Sequence, residues 1–268
     1  MTASRPDAPS RAASVRRVRP ALAGLAALAM VATLAACGAG REPNQTPEQS
    51  AAAAAPSTPD TTAMSPQPGA GDWRLLFDGR TTAGWRGYHR QDVPDGWQVV
   101  DGALTRVGGG GDLITVDQFA NFELELDWMV QPGGTSGVMY RVTEEGENTY
   151  FTGPEMQVLD DARHADGRSR LTAAGAAYGL YPSPEGVVKP AGEWNHARLV
   201  VNGNHVEHWL NGQKVVEYEL GSPDWRQRVA NSKFVEWPGY GRAARGHIAL
   251  QDHGDRVAFR DIRIRELP

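Results

Sequence analysis

The chain has 268 residues, a formal net charge of -5 and a single cysteine, Cys37. One cysteine excludes an intramolecular disulfide framework. No basic cluster occurs from residue 72 onward, which argues against nucleic acid as a partner, because phosphate binding needs concentrated Lys and Arg.

In chain order, Arg11, Arg16, Arg17 and Arg19 lead into the apolar run Ala21 to Ala36, too short for a comfortable membrane span and suited to a secretory signal. It ends Leu34-Ala35-Ala36-Cys37, similar to the lipobox of bacterial lipoproteins. The expectation is a signal peptide over 1–36 and lipidation of Cys37, with the product exported and anchored to the cell envelope through that lipid. Residues 37–71, rich in Ala, Pro, Ser and Thr, lack the apolar surface to offset ordering entropy and read as a tether. One large β domain is expected over 72–268.

Within it, "WQVVDGALTRV" reads as two short strands around the Asp101-Gly102 turn, and the glycines 108–111 as a mobile loop between strands. "FELELDWMV" puts Phe122, Leu124, Leu126, Trp128 and Val130 on one strand face and Glu123, Glu125 and Asp127 on the other. "GPEMQVLDD" alternates too, with Glu155, Gln157 and Leu159 opposite Met156 and Val158. "WNHARLVVNGNHVEHWLNGQKVVEYEL" predicts a three-strand meander turning at Asn202-Gly203-Asn204 and Asn211-Gly212. A short helix is expected over Asp224 to Phe234, then a strand, a tight "DHGD" connection, and a closing strand whose alternation slips near Asp261. Many short strands with glycine turns and no βαβ pattern predict an all-β antiparallel sandwich or jelly roll.

Three polar clusters could carry chemistry: Glu155 and Gln157 with Asp160 and Asp161 beyond, followed by His164 and Asp166; Gln251, Asp252 and His253; and Arg141 with Lys189. A base, cations and amide or imidazole donors are the parts needed to take a proton next to a carbonyl. Each also has an ordinary reading as solvated strand, turn or loop residues. Glu123, Glu125 and Asp127 form a rival: carboxylates about 5 Å apart suit a retaining glycosidase. Asp160, Asp161, His164 and Asp166 share a loop without a recognised metal spacing. No cofactor is predicted, and a metal near Asp161 and His164 stays an open alternative.

The ordered motifs "LLFDGRTTAGW", "SGVMYRV", "TGPEMQVLDD", "AGAAYGLY", "KPAGEWNHARLVVNGNHVEHWLNG", "SKF" and "GHIALQDHGDRVAFRDIRI" resemble the 3-keto-disaccharide hydrolase family over Trp73 to Leu267. One departure is "AGAAYGLY", where the family pattern would place an aspartate near Gly179. The resemblance implies a concanavalin-type jelly roll acting on a carbohydrate oxidised to a ketone at carbon 3, by proton abstraction at carbon 2, elimination and hydration. On that basis Glu155 is the leading base candidate, with His253 as alternative base or leaving-group acid. Lys189 and Arg141 are expected to stabilise the enolate, and Gln157, Asp160, Gln251 and Asp252 to bind the sugar. Tyr178 would stack on a ring or donate a proton. A non-catalytic carbohydrate-binding module is the alternative from another class.

Overall fold

The computed structural model describes residues 71–268; the expected leader and Cys37 lie outside the described residues. The alternation in the sequence folds into two antiparallel sheets. Their strands are β1 Arg74–Leu75, β2 Trp85–Gly87, β3 Trp97–Val100, β4 Ala103–Arg106, β5 Leu113–Thr115, β6 Phe122–Val130, β7 Thr135–Val142, β8 Glu155–Leu159, β9 Asn195–Asn202, β10 His205–Leu210, β11 Gln213–Glu219, β12 His247–Leu250 and β13 Val257–Glu266. The larger sheet runs β11-β10-β9-β6-β13-β4-β3, with β1 on β13, and the smaller runs β2-β5-β12-β7-β8. This is the all-β sandwich expected from the sequence, jelly-roll-like and poor in helix.

The turns form where the turn residues stand. Asp101 and Gly102 take φ of 51° and 77°, and Asn211 and Gly212 take 50° and 84°, left-handed values that match the twist of two-residue hairpins. The slip near Asp261 is a bulge: Arg260 pairs with Asp127 but the next partner of Glu125 is Arg263, and Asp261 has φ 52°. Asp261 therefore turns away while Ile262 and Ile264 stay in the core.

Between the sheets, Phe122, Leu124, Leu126 and Trp128 of β6 meet Met156 and Val158 of β8 in one apolar core. Each such side chain contributes about 1.5–3 kcal/mol by leaving water. The other face of β6 is an ion-pair ladder: Glu123 is held by Arg198 and Arg265, Glu125 by Arg263 at 2.5 Å, and Asp127 by Arg260 at 3.3 Å and His196 at 2.9 Å. These carboxylates have arginine partners rather than a free acid, so the strip is structural and the glycosidase-pair reading has no support there.

The helix is shorter than expected. It spans Pro223–Ala230 (α1), capped by the Ser222 hydroxyl, which accepts from Trp225 N–H. The chain then breaks into a 3-10 turn, Lys233–Glu236, because Ser232 donates to the Val229 carbonyl at 2.9 Å and accepts from Phe234 N–H at 3.2 Å. That break carries Lys233 to the outer face of the smaller sheet.

Candidate active site

β8 is the last strand of the smaller sheet. It pairs with β7 on one side, and on the other the loop 175–177 covers its edge, with Gln157 N–H donating to Ala176 O at 3.1 Å and Gly175 N–H to Gln157 O at 2.8 Å. Since Met156 and Val158 fill the core, Glu155 and Gln157 stand on the outer face. Met139 and Gly137 of β7 lie directly opposite them. Gly137 makes the space: a Cβ there would overlap the Glu155 carboxyl.

Over this face lies a cavity of about 190 Å³, lined by Thr135, Tyr150, Glu155, Gln157, Asp166, Tyr178, Lys233, Phe234, Gln251 and His253. One wall is the 3-10 turn Thr149–Phe151, locked to the turn at Lys233 by the Phe151 and Trp237 rings, stacked at 4.9 Å. The Lys233 ammonium lies 4.6 Å from the centre of the Tyr178 ring and within 5.9 Å of that of Tyr150. Tyr178 donates its hydroxyl to Asp166 at 3.2 Å. A second pocket of about 310 Å³ adjoins the first; both are lined by Tyr150, Gln251 and His253.

Burial pushes the Glu155 carboxyl up to about 8; Asp112 and Asp166 push the same way, and the charge of Lys233 opposes them. Glu155 is only 7% exposed, and no hydrogen bond contributes to its shift. A carboxyl so placed, opening only into a cavity, is matched to proton transfer near neutral pH. Burial, with help from Asp166 and Glu155, likewise raises the Tyr178 phenol to about 12, so it is a donor and not a base.

Of the residues expected from the sequence, the fold brings Glu155, Gln157, Tyr178, Gln251 and His253 into this one cavity. Asp252 stands at the rim of the second pocket, but its oxygens already accept from Arg106 at 2.6 Å and from Gly110 and Gly111 N–H at 3.1 Å. These bonds tie the glycine loop to Asp252, so the loop expected to be mobile is held by it. Asp160 does not line this cavity but another pocket, and its carboxylate accepts from Gly133 N–H at 2.7 Å and Ala162 N–H at 3.1 Å, pinning the end of β8. Lys189 points its ammonium to the Trp194 carbonyl at 2.9 Å, on the wall of a different pocket.

Arg141 fails to reach the cavity for a definite reason. Alternation from Gly137 and Met139 would put it on the Glu155 face. Instead Tyr140 and Arg141 together oppose Ile248, since His247 pairs with Val142 and Ala249 with Met139, and Arg141 takes φ 53°. This bulge returns Val142 to the outer face beside Met139 and Ala249. It turns Arg141 inward to donate to the carbonyls of Ala120 at 3.1 Å and Gly203 at 2.6 Å.

The loop considered for a metal uses its donors internally. Asp161 accepts from Arg170 at 3.1 Å and Ala174 N–H at 2.8 Å, and His164 Nδ1 from Asp166 N–H at 3.1 Å. Among the described residues, a His and carboxylate trio within ligating reach lies elsewhere, at His205, Glu207 and Glu217, where Lys214 supplies a positive charge 2.6 Å from Glu217. Lys233 and Tyr150 were not assigned to the site from the sequence, and Asp166 stood there only as the far end of the cluster that begins at Glu155. Lys233 sits in the motif "SKF", but no local pattern marks it as facing Glu155.

Fold and site together define a β-sandwich with a polar pocket, floored by a buried carboxyl, on the outer face of its smaller sheet. Residues 72–265 match the family described as the 3-keto-alpha-glucoside-1,2-lyase-like domain, and the chain belongs to that family. A 3-keto-disaccharide hydrolase of Bacteroides thetaiotaomicron is 37% identical over 224 residues, 72% of this chain and 77% of the relative. A crystal structure of a candidate glycosyl hydrolase from Parabacteroides distasonis superposes with a TM-score of 0.69 at 34% identity, covering 73% of this chain and 94% of that one. A second from the same organism gives 0.58 at 31%, covering 73% and 100%.

Proposed function

We propose that this protein is a concanavalin-like jelly-roll enzyme that cleaves 3-keto-glycosides, and that Glu155 is its base. The observation that carries the reading is one buried carboxyl of raised pKa, facing a cavity that also holds a cation and a phenol. A ketone at carbon 3 acidifies the hydrogen on carbon 2, so one carboxylate suffices to remove it. The electron pair left on carbon 2 delocalises onto the carbon 3 oxygen, where Lys233 and Tyr178 take the stabilising role first expected of Lys189 and Arg141. That pair then forms the carbon 1–carbon 2 double bond as the bond from carbon 1 to the glycosidic oxygen breaks, and His253 protonates the departing oxygen. Water adds back, hydroxyl to carbon 1 and proton to carbon 2, so that the sum is hydrolysis. Gln157 and Gln251 hold sugar hydroxyls.

The family membership and the named relative support this reading. The test is to incubate the protein in deuterated water with a 3-keto-disaccharide and with its unoxidised parent. Cleavage of the keto substrate alone, with deuterium entering at carbon 2, is expected. Cleavage of the parent sugar would overturn the mechanism, and binding of either sugar without turnover would make the protein a carbohydrate-binding module. The same proposal has the enzyme exported and held to the envelope by a lipid on Cys37: Cys37→Ala is expected to move it from the membrane fraction to the soluble one.

A further inference from the structure

Asp112 is a carboxylate without a part in the reaction at Glu155, yet it ties together the segments that the two pockets share. It follows the glycine loop and precedes β5, and its carbonyl accepts from Tyr88 N–H at 2.9 Å. One carboxylate oxygen accepts from Asp252 N–H at 2.8 Å, and the other from the Thr149 hydroxyl. The first bond holds the corner that carries Gln251 and His253, and the second holds the 3-10 turn that carries Tyr150. Those are the three residues lining both pockets.

Hydrogen bonding alone does not call for a carboxylate at this position. Asparagine would keep both contacts, its carbonyl accepting from Asp252 N–H and its amide donating to the Thr149 oxygen. It would also avoid taking a charge out of water, which pushes the Asp112 carboxyl up. Arg106 is committed to Asp252 at 2.6 Å, and the Asp252 charge works against ionised Asp112. The positive charge that favours ionised Asp112 is that of His253. Among the other ionisable groups lining this pocket, His89 has its Nε2 on the Gly146 carbonyl at 2.7 Å. Tyr88 donates to the carbonyls of Gly146 at 3.0 Å and Thr143 at 3.2 Å, and Glu147 is exposed. His253 is therefore the group that a charged Asp112 serves, because a fixed anion beside an imidazole stabilises the positive charge of the ring.

We propose that Asp112 is a positioning residue for the leaving-group acid: its bonds fix the corner that bears His253 at the junction of the two pockets, and its charge stabilises the cationic ring that hands a proton to the departing oxygen. Asp112 itself touches neither the sugar nor the protons in transfer. This rests on the proposed reaction at Glu155, with His253 as its acid.

Leaving groups separate the charge of Asp112 from its bonds. Methyl 3-keto-glucoside loses an alkoxide that needs a proton, whereas 4-nitrophenyl 3-keto-glucoside loses a phenolate that does not. At pH 8, Asp112→Asn is expected to lower kcat/KM about tenfold or more for the methyl substrate and to leave the nitrophenyl substrate at or above the wild-type rate. The second half follows because Asp112 opposes ionised Glu155, so that its neutralisation favours the base. Equal loss on both substrates is a merely structural effect and overturns the role, as does an unchanged methyl rate. Adding Asp112→Asn to His253→Ala is expected to cost the methyl substrate nothing further, since the acid is already gone; a further loss of about tenfold would show another route of action and overturns the role too. If the wild type cleaves neither substrate, the reaction and this role fall together. If it cleaves both and Asp112→Asn loses both alike, only the role of Asp112 falls.

Discussion

Glu155 is where environment has most changed a residue's ordinary chemistry. Its carboxyl titrates near 8 because burial disfavours the charged form, with Lys233 the opposing influence. A base must be ionised, so kcat/KM for the keto substrate should rise with pH and level off near 8, falling about tenfold for each pH unit below. A leaving-group acid would give the opposite limb, activity lost above 8, so a pH-rate profile decides which role Glu155 has. Glu155→Gln should lower kcat by about 10²–10⁴ while the protein still binds the sugar. Lys233→Met should move the rising limb to higher pH, because the charge that favours ionised Glu155 is gone. A limb that stayed in place would show that Lys233 does not act on the base.

Between elements, the site depends on how strands and turns meet, which is also where the sequence was hard to read. Alternation in "FELELDWMV" and the meander is a property of each strand alone, and it predicted β6 and β9 to β11 closely. It also put Glu155 and Gln157 together on one face. Arg141 defeated the same logic because a bulge depends on the partner strand, here the single Ile248 set against Tyr140 and Arg141. Lys233 was hidden because a helix ending at Ala230 and a Ser232-capped turn bring it across from the far side of the chain. Gly137 shows the same dependence in reverse: nothing local requires a glycine, but the Glu155 carboxyl occupies the space of its Cβ. Gly137→Ala should therefore displace Glu155 and reduce kcat at least tenfold, with little change in the far-ultraviolet circular dichroism. Full activity in that variant would mean the carboxyl works from another position.

At the scale of the molecule, the two sheets treat charge in opposite ways. The larger satisfies Glu123, Glu125 and Asp127 with arginines, whereas the smaller keeps Glu155 buried beside Asp112 and Asp166, with Lys233 as opposing charge. The cost follows from linkage. The folded pKa of Glu155 is raised to about 8 from the ordinary 4.5 of a glutamate, so between those values the folded state holds a proton that the unfolded state has released. Stability from this group is therefore present below about pH 4.5, declines as pH rises towards 8, and is level beyond. The burial of Asp112 acts in the same direction, but it is common to wild type and Glu155→Gln, so the difference between them isolates Glu155. At pH 8 the variant should be more stable by an amount on the order of a few kcal/mol, with Tm higher by about 2–4 °C for each kcal/mol. At pH 4 that advantage should vanish, since the wild-type carboxyl is then largely protonated in both states. Thermal melts of the two proteins at these two pH values make the comparison. An enzyme that gives up stability to hold its base ready predicts the inactive variant as the more stable one at pH 8, and a Glu155→Gln protein no more stable than wild type there would remove the buried, proton-holding Glu155 from the account.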